Sequence, residues 1–341
     1  MTNNQIDISV NGKWRSTPAV YIDGKTVISQ GTWMKMAAIH DEAWLEGELE
    51  DPRGFIEKLR RRRREEFPAD IFTFAQKVSA PEPKYDFQME PDSIAVARFG
   101  KFTEWWDKLP QETRKNVRRS QKRGVVISVK PFDDELVRGI QQINDDSPMR
   151  QGRPNAHYHK PFEQVKRDHS SFVERSDFIY AEFEGEPAGY LKLVYRGEVA
   201  SILNLASKAA HYDKRPSNAL VAKAIELAAA KGISHVTYGM YNYGNKQESP
   251  LRDFKDRNGF EEVLTPRFFV PLNPWGAMCL AAGFHHGLLA MLPESLITFG
   301  LKCRTKWYNR SRSSSRCSST VEQPNSTRQT GCSSPPAGSK A

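Results

Sequence analysis

The stretch "HYDKRPSNAL" sets Lys214 and Arg215 immediately before a run with helical period. A helix N-terminus carries unpaired N–H groups and partial positive charge, so this end, reinforced by two cations, suits a phosphate or another anion. Its backbone share would come from Ser217, Asn218, Ala219 and Leu220, with Ser217 as the expected N-cap. A second stretch, "VTYGMYNYGN", sets Tyr238, Tyr241, Tyr243 and Asn245 at the end of a strand, where sheets commonly present ligands. His211 and Tyr212 lie in the adjoining connector, and Asn204 on the strand before it. Among these His211 has the pKa range of a base, and the tyrosines are the alternative proton carriers. A third group is the basic helix "QETRKNVRRSQKRG", which spaces Arg114, Arg118 and Lys122 for phosphates or an anionic acceptor. Aromatic packing is the competing account of the tyrosines, and a solvated face that of the helix cations.

The stretch "SPLRDFKDRNGFEEV" poses a separate question. It reads as a short helix that stops at Asn258-Gly259 and becomes a strand at Phe260. Leu251 and Phe254 lie three apart and should face the sheet. Packing accounts for Phe254 and leaves Lys255 unexplained. No Ser-His-Asp order, P-loop or metal-ligand cluster stands out, so neither a metal nor a covalent nucleophile is expected. The four cysteines, Cys279, Cys303, Cys317 and Cys332, have no short CxxC spacing, which argues against zinc, a redox pair or a disulfide framework.

These residues need elements to hold them. "AVYIDGKTVISQG" reads as a hairpin turning at Asp23-Gly24. "DPRGFIEKLRRRRREEF" reads as a helix capped by Asp51, with Phe55, Ile56 and Leu59 on one face and Arg60 to Arg64 solvated. "DIFTFAQKV" and "SIAVARF" look like strands. After the basic helix, Gly124 and "VVISV" give a stop and a strand. "FIYAEFE", "AGYLKLVYR" and "VASILNLAS" are three strands at hairpin spacing, followed by the helix "SNALVAKAIELAAAKG", the strand "SHVTYGM", the short helix and a last strand at "RFFVPL". A meander followed by alternating helices and strands is an α+β pattern, a mixed sheet with flanking helices.

Of the net charge of +9, about +7 lies in Leu301 to Ala341, where eight Lys or Arg meet one Glu. The body is therefore nearly balanced, and composition does not mark a nucleic-acid-binding protein. The Ser-rich tail, residues 309–341, has almost no apolar residues and is expected to be disordered. "WGAMCLAAGFHHGLLAML", Trp275 to Leu292, is apolar but marginally short for a span. It is expected as a packed or interfacial helix within residues 274–308, with Lys302, Arg304 and Lys306 just beyond it. The N-terminus has no basic-then-apolar leader, so a cytoplasmic location, at most peripheral to the inner membrane face, is expected.

In the order of its elements the chain resembles the GNAT-type N-acyltransferase superfamily, and within it the FemAB-like and BioF2-like branch. Two motifs carry the resemblance: "TRKNVRRSQKRGVVISV", a basic helix before a Gly-Val strand, and "LRDFKDRNGF", similar to the branch's Leu-x-x-Phe-Lys-x-x-x-Gly-Phe pattern. They cover roughly residues 101–272, with residues 1–100 as a divergent first lobe and 101–273 as the transferase domain. The resemblance implies an acyltransferase moving an acyl group from acyl-CoA, such as acetyl-CoA, to an amine by direct attack. Joined to the anion-binding reading of the residues above, that activity puts donor contacts at Lys214, Arg215 and the Ser217–Leu220 helix start, and substrate contacts at Arg114, Arg118, Asn204 and Phe254. It also places Lys255 beside the transferring group, where a cation would stabilise a developing oxyanion, with Tyr238 or Tyr241 handling the proton. "KRPSNAL" departs from the superfamily's glycine-rich phosphate loop. That departure keeps open a second donor, aminoacyl-tRNA, with a cell-envelope precursor as acceptor. A third reading is a non-catalytic membrane-surface binding module of the same fold.

Overall fold

The computed structural model describes residues 5–10, 13–40, 48–150, 153–242 and 249–286. Contacts divide the chain into two compact units, Met1–Ala282 and Gly283–Ala341. Of the second, only Gly283 and the 3-10 turn Phe284–His286 lie within the described residues. The tail from 309 to 341, the basic residues Lys302, Arg304 and Lys306, and Tyr243 and Asn245 lie outside them.

The first unit opens with β1 (Gln5–Val10), β2 (Lys13–Ile22), β3 (Lys25–Gln30), β4 (Met36–Ile39), α1 (Pro52–Arg60), β5 (Ile71–Ala75) and β6 (Gln88–Arg98). It continues with α2 (Phe102–Lys108), α3 (Gln111–Lys122), β7 (Val125–Lys130), α4 (Asp134–Asn144), the two-residue strands β8 (Met149–Arg150) and β9 (Arg153–Pro154), and α5 (Phe162–His169). Then come β10 (Ser176–Phe183), β11 (Glu186–Arg196), β12 (Val199–Ser207), α6 (Pro216–Ala230), β13 (His235–Met240), α7 (Pro250–Arg257), β14 (Glu261–Pro271) and α8 (Pro274–Ala281).

Twelve strands form one sheet in the order β1-β2-β3-β4-β5-β14-β6-β13-β12-β11-β10-β7. Its pairs are antiparallel except β4 with β5 and β12 with β13. Strand alternation sends residues of β10 to two cores. Ile179 and Ala181 join Trp105, Val117, Leu220 and Ile225 from α2, α3 and α6, while Phe178 and Tyr180 meet Leu136, Ile140 and Val165 from α4 and α5. A third core packs Phe55, Ile56 and Leu59 of α1 on Phe72, Phe74 and Phe268.

Local signals explain most of these elements. Asp23 and Gly24 take φ of 47° and 78°, the left-handed pair that a tight hairpin turn between β2 and β3 needs. Asp51 caps α1 by accepting from Gly54 N at 3.0 Å. That helix stops at Arg60, so Arg61 to Arg64 follow it as exposed turn residues instead of extending a helical face. The start of α6 also differs from expectation. Pro216 occupies its first position, Arg215 is the cap residue at φ 58°, and Ser217 stands inside the first turn with its hydroxyl on Ser207 Oγ at 2.8 Å. The front hairpin is fastened to α5: Trp14 Nε1 donates to Asp168 at 2.8 Å, and Lys160 Nζ lies 2.5 Å from the same carboxylate.

Candidate active site

The site begins where β12 and β13 part. Their parallel pairing covers only Val199 with His235, Ala200 with Val236 and Ser201 with Thr237. Ser201 Oγ and Thr237 Oγ1 are 2.8 Å apart and close the apex. Beyond it both strands bulge. β12 carries one extra residue, Leu203, between the positions opposite Leu193 and Lys192. β13 gains one against β6 between Thr237 and Met240, where Gly239 takes φ 58°. A bulge bends its strand and re-aims the side chains that follow. The two bulges open a fork, and β12 from Ile202 to Ser207 has no strand beside it on that edge among the described residues.

A cavity of about 250 Å³ fills the mouth of the fork. Leu205, Ala206 and Ser207 of β12 form one wall, Tyr238 of β13 another, and Leu251 and Phe254 of α7 a third. Ser217 closes it from the start of α6, and Tyr212 from the 3-10 turn before that helix. Among the described lining residues, only Arg150 carries a charge, and its guanidinium donates to Ile143 O at 2.7 Å. Sequence reasoning missed Arg150. It belongs to a two-residue strand in a connector, with no periodicity to single it out.

Helix α7 positions the Phe-Lys pair in a way the pattern did not anticipate. Ser249 caps it by accepting from Arg252 N, and Gly259 ends it at φ 74°. The residue it turns into the core is Lys255, fully buried, whereas Leu251 and Phe254 are half-buried at the cavity. Lys255 Nζ donates to Met240 O at 2.6 Å and lies 4.8 Å from the centre of the Tyr238 ring. Burial pulls its pKa down to about 8, because an ammonium out of water is disfavoured. Lys255 thus stands behind Tyr238 and is not part of the cavity wall.

The other expected residues are distributed more widely. Tyr241 lines a different hollow, beside Trp105 and Gly259, and its hydroxyl donates to Asp256. Burial first, and then that carboxylate, raise the phenol's pKa. Lys214 is paired with Asp213 at 3.2 Å and lies over the Phe183 ring at 4.5 Å. Ala219 and Leu220 are core residues, and Asn218 Nδ2 donates to Asn258 Oδ1 at 3.0 Å, tying α6 to α7. The cap of α6 has no side-chain acceptor on it, and Asn218 N–H turns back to Arg215 O at 3.2 Å. His211 packs on Phe183 and Asn204 sits half-buried opposite Lys192. Arg118 is exposed over the Trp106 ring at 5.7 Å, and Arg114 is half-buried on the same helix, which packs on α6. The structure therefore brings Ser217, Tyr238 and Phe254 together at one cavity, and leaves Arg114, Arg118, Asn204 and Tyr241 out of its lining.

No protein-family model and no curated sequence matches the chain. Solved structures do. FemX superposes with a TM-score of 0.53 at 12% identity, covering 78% of this chain and 88% of that one. The C-terminal domain (DUF2156) of an Agrobacterium fabrum chain named as a lysylphosphatidylglycerol synthetase gives 0.52 at 14% identity, covering 79% and 88%. At such identity the likeness shows the fold. It is the expected α+β arrangement, a mixed sheet with flanking helices, and it is shared with FemX.

Proposed function

We propose that the chain is a transferase that moves an acyl group to an amine in the fork between β12 and β13. The observation that carries this reading is the fork itself: two parallel strands that separate after three residue pairs, with a cavity open to solvent at their mouth and a helix N-terminus without a side-chain cap beside it. The bare edge of β12 offers backbone N–H and C=O groups to an extended donor that carries amides of its own. That favours acyl-CoA, whose arm has two amides, with its phosphates toward the start of α6 and the cations Lys214 and Arg215. An amine held at the cavity attacks the thioester carbon as the neutral base, the C–S bond to CoA breaks, and Tyr238 in the wall relays the amine's proton to the departing thiolate. Lys255 acts through Tyr238: its buried charge, one ring away from the cavity, stabilises negative charge that develops on the acyl oxygen. On this reading Tyr241 belongs to the packing of α7 and takes no part in the reaction.

Aminoacyl-tRNA is the second donor reading, with two observations in its favour. Lys214 is already engaged by Asp213 and Phe183, and no glycine lets a pyrophosphate approach the backbone before α6. A thermal-shift titration of the full chain with acetyl-CoA and with CoA tests the first reading. A ligand at a hundred times its dissociation constant adds about 2.7 kcal/mol of stability. The expected result is a saturable shift that Leu251→Trp, which fills the cavity mouth, abolishes. No shift with CoA, together with tRNA binding that falls steeply with salt, would move the donor to aminoacyl-tRNA. Neither response would sink the transferase reading.

A further inference from the structure

Away from the fork, three chain segments meet at one buried carboxylate. Asp70 is 0% exposed. It accepts from Lys35 N at 2.8 Å and from Asn273 Nδ2 at 3.0 Å, and pairs with Arg64 at 3.0 Å. Its own carbonyl accepts from Leu272 N at 2.8 Å. A Cβ on Gly276 would lie 1.9 Å from that carbonyl oxygen, so α8 sits directly on it. Arg60 adds a bond to Pro271 O at 3.0 Å. Asp70 thus fixes, in one place, the loop before β4, the arginine run after α1 and the start of α8.

What this hub presents to solvent is chemically distinctive. Trp33 and Trp275 meet edge-to-face at 6.1 Å and are 43% and 38% exposed, and Met278, one turn along α8, is 52% exposed. Helix α8, "PWGAMCLA", has no polar side chain on any face, although Ala277 and Ala281 are exposed as well. A surface helix normally turns charged residues to water, so an all-apolar one marks a face that water does not cover. The sequence stays apolar through Leu292 apart from two histidines. Beside it, Arg61, Arg62 and Arg63 are exposed and make no ion pair among the described residues. From Arg60 to Glu66 five arginines face two glutamates, a surplus of three positive charges.

We propose that this face docks on an anionic lipid surface, with Trp33, Trp275 and Met278 entering the interface and Arg61, Arg62 and Arg63 meeting headgroup phosphates. Tryptophan prefers the boundary between headgroup and acyl chain, and arginines near an anionic leaflet gain from its surface potential. RNA would use the arginines but has no use for a Met-and-Ala helix face. A protein partner would need no charge surplus. The proposal stands apart from the acyl-transfer reading and concerns where the protein works.

The test is co-sedimentation of the full chain with phosphatidylcholine vesicles, with and without phosphatidylglycerol. Two variants probe the face, Arg61→Glu/Arg62→Glu/Arg63→Glu and Trp275→Ser/Met278→Ser. The same charge change at Lys108, Lys115 and Lys122 serves as control, and the basic C-terminal residues are present in every protein. The expected result is binding to the anionic vesicles alone, at least tenfold weaker in each face variant and far less affected in the control. Face variants that partition like the unaltered chain would overturn the proposal and assign the binding to other residues. Equal binding to neutral vesicles would overturn its anionic part. Loss of tRNA binding with vesicle binding intact would make the arginine run a nucleic-acid surface. If Trp275→Ser/Met278→Ser lowers the melting temperature, the arginine variant, altered only in an exposed turn, still decides.

Discussion

Lys255→Met separates the charge of the buried lysine from its bulk. The folded pKa is about 8, against an ordinary value of 10.5, and burial is the cause. Between those two values the unfolded chain binds more protons at this site than the native one, so stability rises with pH across the window. From pH 7 to pH 10 the gain is about 2.5 kcal/mol for a shift of this size. Methionine matches the length of the side chain and carries no charge, so the variant lacks that slope. It also deprives the Met240 carbonyl of its donor, at about 1–3 kcal/mol, a loss that does not depend on pH in this range. Urea unfolding of both proteins at intervals from pH 7 to 10 gives the difference curve, in which the titrations of other groups cancel. The unaltered protein should gain on the variant by about 2–3 kcal/mol over that range. Parallel curves would refute the reasoning, because they would mean that the ammonium is as well accommodated in the fold as in water.

Two further predictions concern the fork and the helix beside it. Tyr238→Phe removes a hydroxyl from the cavity wall and keeps the ring over Lys255, so kcat should fall by about tenfold to a hundredfold with the melting temperature unchanged, measured on whichever donor binds. Gly259→Ala places a Cβ 2.8 Å from Trp105 Nε1 at a φ of 74°, and should cost about 2 kcal/mol or more in urea unfolding while leaving the cavity intact.

Elements governed by local chemistry were legible in the sequence. The Asp23-Gly24 turn, the Asp51 cap, the stops at Gly124, Gly232 and Gly259 and the strand runs from Phe178 onward all follow from rules that span a few residues. The cap of α6 was misread because Ser217 is the better capping residue by type, yet Pro216 is also suited to the first helical position, and the proline prevailed. Arg150 was invisible for a different reason. It reaches the cavity from a two-residue strand, and only the tertiary fold decides what such a connector faces. The strand order was only partly open to inspection. That β6 lies between β13 and β14, joining the front of the chain to the meander, is a long-range pairing that no window of sequence contains.

Helix α7 shows how a broken rule can point to a site. Amphipathic logic puts Phe254 in the core and Lys255 in water, and the fold instead buries Lys255 fully while Phe254 packs half-buried between core and cavity. Burying the lysine would be costly if it served only packing: a leucine at position 255 would fill the same space without a desolvated charge. What the lysine adds is a positive charge in a low-dielectric position behind Tyr238, at the strand that forms one arm of the fork. The two bulges open the cavity, and under the proposed function the lysine sets its potential. Each departs from regular structure at a cost in stability, and all of them converge within a few residues of Thr237 and Met240. Stability alone gives no reason for such departures to coincide at one cavity, and that coincidence is what supports the proposed site.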